Sequence, residues 1–449
     1  MTTAEPRGGP LETRPRTGAP VPYAGVVLLL YASTALRLPA TFLYPSFWAE
    51  DLTVFFREGV EIGPAAFLRP MYGSYHALPR LSVLLASLLP VAWAPAVYAL
   101  CAGLVSSASL ALFSRPGFRW LVPQDRVRAL VCWLFSLVPG TNEGFFALCT
   151  SNYAVFCGAM FLLLERGEAG RWRMGLPRAL LVSFLWFSLG QGVVLALPLA
   201  CLFGITRNRS YLVCLGSLGV SLALNLAAEN SYRPEELPGP VPLALVYLEN
   251  LFVRLGFVPL LPHRWIGAVR RMPDLLFFPL SALLLAGYVG ALARRRVFDA
   301  EGARVLAVTM LSAMAIFPLT ALARSYGLPM LRRPEVYLRG RAALVPSVVA
   351  LVLLWSWLAR PARGGRGRAA AAALLAWTTL NVLFEPLYAR PWPFRPFVWE
   401  WPRQSAAIER ALRDRRAGRL REPVVVRDIH CRPDSPVWKV TDLNIAPSP

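Results

Sequence analysis

Two adjacent carboxylates, Glu50 and Asp51, follow Trp48 in the stretch "SFWAEDLTVFFREG" (residues 46–59), directly after an apolar run that begins near residue 23. Carboxylates this close, at what reads as the edge of a bilayer, have few uses. They take a proton from a hydroxyl, hold a divalent cation, pair with arginine, or are simply solvated in an acidic loop. Arginines that could answer them are Arg80 in "HALPRL" and Arg339 and Arg341 in "YLRGR". A guanidinium matches phosphate oxygens through its planar fork, and its plainer use is to anchor a helix end to lipid headgroups. Tyr75 and His76, just before Arg80, could line the same cavity, although a lone interfacial histidine is more simply a hydrogen-bonded structural residue. Asn142, Glu143 and Asn152 bracket the turn "TNEGFFALCTSN", and Gln191 lies between Gly190 and Gly192 in "SLGQG". Such residues cap short helices at membrane depth or bind a polar ligand, and the two glycines read as turn formers.

The elements that must position these residues follow from composition. The chain has 449 residues, 56% of them hydrophobic, and a mean hydropathy of +0.47, far more apolar surface than a soluble core requires. Apolar segments lie near 23–44, 81–113, 127–139, 152–164, 179–189, 192–205, 211–227, 274–293, 304–321, 341–359 and 369–388. Lipid offers the backbone no partners, so each must be helical, and the expected fold is an all-α polytopic membrane bundle of about 11 spans. Segment 81–113 is one tilted helix or two broken ones, with Pro90 and Pro95 as kink points. The four segments between 127 and 205 fall short of the roughly 20 residues of a full span, so they tilt, extend into a cavity or pair as re-entrant helices.

Sidedness comes from charge. "SRPGFRWLVPQDRVR", "ERGEAGRWRMGLPR", "TRNRS", "ARRRVFDAEGAR" and "RPARGGRGR" are basic and occupy alternate connections, which places them in the cytoplasm. The chain then divides into a cytoplasmic leader (1–22), a transmembrane domain (23–388) with outer loops 45–80, 140–151, 228–273 and 322–340, and an outer C-terminal segment (389–449). In that segment "SAAIERALRDRRAG" has helical spacing ending at Gly418, and "PVVVRDI" reads as a strand. It is too small to stand alone and should dock on the outer face of the bundle. Arg37 within the first span should face the bundle interior or snorkel. The net charge of +21 does not point to nucleic acid, because the arginines flank apolar runs instead of forming one soluble basic face. Most cysteines lie inside apolar segments and the three histidines are dispersed, so no metal motif emerges.

The order of first span, "FWAED", a long outer loop, "MYGSYHALPRL" and a further apolar run resembles integral membrane glycosyltransferases of the GT-C superfamily, with uncharacterised bacterial members the best match. "GTNEGFFALCTSNY" resembles an outer turn of those proteins, "RGRAALVPSVV" their arginine-led late helix, and the Trp-rich tail ending "PVWKV" their outer C-terminal segment. This chain departs from them at Ala342, where relatives carry tyrosine. The resemblance implies transfer of a sugar from a polyprenyl-phosphate donor in the bilayer to a glycan, lipid or protein acceptor on the outer face of a bacterial inner membrane. It implies Asp51 as general base with Glu50 assisting, the donor phosphate on Arg341, Arg339 or Arg80, and Tyr75, His76, Asn142, Glu143, Asn152 and Gln191 near the substrates. No cofactor is required by it, and a divalent cation on the carboxylate pair is left open. The rival reading is a multi-pass transporter or lipid flippase, which would favour internal repeats with polar residues at midplane positions; no such repeat is visible.

Overall fold

A computed structural model of the chain describes residues 21–37, 51–70, 75–138, 147–167, 171–172, 174–188, 190–227, 299–316, 344–359, 401–430 and 440–447, with isolated positions at 47, 145, 244–290 and 373–377. Most of these residues are helical. The first loop folds into a π-helical turn, Asp51–Phe56, that runs into a short helix, Arg57–Glu61. The longer helices are α1 (Tyr23–Arg37), α2 (Ala77–Ala86), α3 (Ala94–Ala111), α4 (Asp125–Leu137), α5 (Leu148–Leu164), α6 (Leu176–Trp186), α7 (Ala196–Thr206), α8 (Arg209–Ala227), α9 (Ala300–Met314), α10 (Leu344–Leu358) and α11 (Trp401–Arg416).

Prolines and glycines set the boundaries. Pro90 is extended (φ −55°, ψ 139°) and breaks the long apolar run, while Pro95 sits in the first turn of α3, where its missing N–H costs nothing. The run is therefore two helices. Gly418 takes φ +65°, and the Arg419 amide returns to the Asp414 carbonyl at 2.8 Å, the Schellman closure expected after α11. The strand at Val424–His430 (β1) is joined by one not read from the sequence, β2 (Val440–Ile445), in an antiparallel ribbon with an irregularity between Val426 and Ile429. The fold is thus mainly helical with a terminal β-ribbon rather than all-α.

Helix α5 is the axis of the core. Nearly all its side chains are buried, and its neighbour α3 approaches closely because Gly158 faces Ser109, where an added Cβ would lie 2.9 Å from the serine Cβ. Small residues at helix contacts let backbones close up in this way. Among the described residues, one helical stretch, Val91–Ser114, is long and apolar enough to cross a membrane. The other apolar helices run to 10–17 residues, because proline breaks and 3₁₀ segments such as Gly190–Leu195 interrupt the apolar pattern. Segments 274–293 and 369–388 lie largely outside the described residues, as does the side chain of Arg37.

Polar contacts sort the connections to two ends of this bundle. At one end Glu165, just beyond α5, pairs with Arg115 (3.1 Å) and Arg178 (3.0 Å), and Arg166 pairs with Asp299 (2.8 Å) between the rings of Trp120 and Trp172. Asn208 reaches the Met174 carbonyl and Gln124 the Ala359 carbonyl at the same end. The described parts of the basic connections, 114–128, 165–167, 174–178, 206–210 and 299–304, therefore meet there. The other end carries the first loop, residues 147–152 and 187–188, and the C-terminal segment. Trp401 Nε1 donates to the Ala92 carbonyl at 3.0 Å, and the Asn444 amide donates to Glu61 Oε1 at 3.0 Å. Phe55, Val60, Val83, Tyr98, Ile408 and Leu443 share a second core at this end, so the tail docks on the first loop.

Candidate functional site

Asp51 is 1% exposed, and it is held by a helix end far away in sequence. Its Oδ2 accepts the Leu148 amide and its Oδ1 the Cys149 amide, each at 2.9 Å. These are the first residues of α5, whose own preceding residue, Ala147, supplies no side-chain acceptor. A helix start leaves amides without intrahelical partners and carries partial positive charge. Asp51 provides the missing anion and ties the first loop to the core helix.

One turn into α5, Asn152 Nδ2 lies 2.8 Å from His76 Nδ1. Asn152 is 7% exposed and its Oδ1 has no hydrogen-bond partner among the described residues. His76 occupies the left-handed region (φ 48°, ψ 43°) immediately before α2, a conformation that costs a residue bearing a Cβ on the order of 1 kcal/mol. What over-determines it is the start of α2. The Ala77 amide donates to the Phe187 carbonyl at 3.3 Å and the Leu78 amide to Ser188 Oγ at 2.7 Å. Pro79 has no amide to satisfy, and Arg80 N–H returns to the His76 carbonyl at 3.0 Å. Each opening amide of α2 is accounted for, and the accounting requires the loop after α6 to sit on it.

Arg80 is 2% exposed. Its Nη1 lies 2.8 Å from Glu58 Oε2, and its guanidinium stands over the Phe55 ring at 5.5 Å. Glu58 thus engages Nη1, while Nε and Nη2 have no hydrogen-bond partner among the described residues. A second buried arginine gives the comparison. Arg128, 0% exposed, donates to the carbonyls of Ser114, Val122 and Pro123 and to Asp125 Oδ1. Both arginines are enclosed; Arg128 is fully committed to the fold and Arg80 keeps donors to spare.

Asp51, His76 and Asn152, spread over a hundred positions of sequence, are thus gathered around the start of α5, with half-buried Tyr75 next to His76, and Arg80 joins them through Phe55, whose ring meets both His76 and the guanidinium. The residues that the sequence reading did not assign are Phe55, Glu58 and Ser188. Glu58 was legible in principle, since a buried arginine needs an anion and "FFREG" offers one within the first loop. Gln191 lies in the 3₁₀ segment that follows the Ser188 contact. Glu50, Asn142, Glu143, Arg339 and Arg341 lie outside the described residues. Among the described residues no group of three or more His, Cys, Asp or Glu side chains is placed to hold a metal ion. Compared with known proteins, the chain matches no family model, no curated protein and no solved structure.

Proposed function

We propose that this protein is a multi-pass membrane glycosyltransferase, its basic end cytoplasmic, that moves a sugar from a polyprenyl-phosphate donor to an acceptor at the opposite face. The observation that carries the reading is the buried Arg80 guanidinium, whose Nε and Nη2 have no hydrogen-bond partner among the described residues, at the end of the bundle away from the basic connections. A lipid phosphate leaving the anomeric carbon develops negative charge, and a forked donor fixed in a dry setting stabilises it without reorganisation. Arg80 takes that role. The Asn152 Oδ1, buried and without a partner among the described residues, is the acceptor we assign to a sugar hydroxyl.

Attack on the anomeric carbon also needs a group to take the acceptor's proton. Asp51 was expected in that role. Its two oxygens each hold a backbone amide and it is enclosed, which favours Asp51 as the positioning residue. His76, accepting from Asn152 at Nδ1, carries its ring proton on Nε2 when neutral and is then a donor. Glu50 is left as the proposed base. The test is Arg80→Lys in a transfer assay with labelled polyprenyl-phosphate sugars. Lysine keeps a charge facing Glu58 and loses the fork, so KM for the donor should rise by about tenfold or more while the protein stays folded. An unchanged donor KM would remove Arg80 from the phosphate.

A further inference from the structure

A cavity of about 780 Å³ opens between the first-loop helix, the end of α2, the start of α3 and α11. Its wall is mostly apolar, including Val83, Leu88 and Leu89, and Arg413, Arg415 and Arg416 of α11 line it together with Glu409. Arg413 and Arg416 are exposed, whereas Arg415 is drawn to the Glu61 carbonyl at 3.4 Å. Basic residues in the last turn of a helix complement its dipole, but that alone does not place them around an apolar cavity. Leu85, Leu88, Leu89 and Trp93 continue the apolar surface outward from the same break and are exposed. Arg80 is not part of this lining.

We propose that this cavity binds a membrane lipid bearing a phosphate group, with the chain against the α2–α3 break and the phosphate at Arg413 and Arg416. The volume lies in the range of small-molecule sites. An apolar wall alone would accept any lipid; the arginines on one rim select an anionic headgroup through charge-assisted hydrogen bonds. The inference rests on the helices lying in a bilayer and not on the transferase chemistry.

The experiment uses the full chain in detergent micelles with a fluorescent short-chain phosphatidic acid as probe, a fluorescent diacylglycerol of the same chains as its phosphate-free partner, and inorganic phosphate as competitor. The phosphatidic acid should bind and the diacylglycerol should bind at least about tenfold more weakly. Arg413→Gln combined with Arg416→Gln, both exposed, should remove most of that preference, and Ser87→Trp, which fills the cavity, should weaken the phosphatidic acid as well. Equal binding of the two probes, or an unchanged preference in the double variant, would overturn the proposal. So would displacement by inorganic phosphate at the probe's own concentration, which would make the ligand a free anion. No sugar is present and no turnover is read, so this result is independent of whether transfer occurs.

Discussion

Asp51 accepts two backbone amides at 2.9 Å, so its loss should be felt first as instability. Asp51→Ala orphans both amides in a buried setting, at about 1–3 kcal/mol for each group, and Asp51→Asn keeps one acceptor and loses the charge. Thermal unfolding in detergent should therefore rank wild type above Asp51→Asn above Asp51→Ala. Equal midpoints would mean that the carboxylate does not hold the helix end. A general base that was not also a cap would show the reverse, a loss of turnover at constant stability. Asp299 gives a residue-scale pH dependence at the opposite end. Hydrogen bonds from Arg166 hold its carboxyl below the usual carboxylate range, against a smaller opposing effect of burial. A depressed folded value contributes stability above the unfolded value, and that contribution is lost as pH falls below about 4. Asp299→Asn should flatten that acid limb in unfolding measured between pH 3 and 7, and an identical acid limb in the variant would show that the pair does not contribute.

At the scale of elements, α5 joins the two ends of the molecule: Asp51 caps its start and Glu165 lies just past its finish. At 1.5 Å per residue its length is about 25 Å, so the two polar clusters are held apart by one rigid, buried rod. The contact with α3 depends on Gly158, where a methyl would press on Ser109, including its backbone Cα at 3.2 Å. Gly158→Ala should therefore cost about 1–3 kcal/mol by overpacking, read as a lower unfolding midpoint; a midpoint equal to wild type would show that the helices separate freely. Much of this was legible in sequence. Pro90 announced the break, Gly418 the end of α11, and the valine run at 424–426 the first strand. The second strand was not, since "KVTDLNI" follows a Pro- and Trp-rich stretch and pairs across a long separation. Nor could spacing reveal that Asp51 caps a helix 97 positions away, because a cap supplied from outside leaves no local pattern around Ala147.

At the scale of the whole molecule, the described basic connections converge on one end and the described parts of the first loop and C-terminal segment on the other. The proposed multi-pass topology requires this sorting. Cysteines introduced at Pro116 and at Ala417 should be labelled by an impermeant maleimide from opposite faces of sealed vesicles, and labelling of both from one face would contradict that sidedness. The same end that gathers Asp51, His76, Arg80 and Asn152 is where transfer is proposed to occur. The most direct test is transfer of labelled sugar from polyprenyl phosphate in proteoliposomes, comparing the unmodified protein with Glu50→Gln at matched unfolding midpoints. Transfer should be measurable for the unmodified protein and about 100- to 10,000-fold slower for the variant, the range supplied by a general base. Folded protein that transfers no sugar from any polyprenyl-phosphate donor, or a Glu50→Gln variant that transfers at the full rate, would contradict the account.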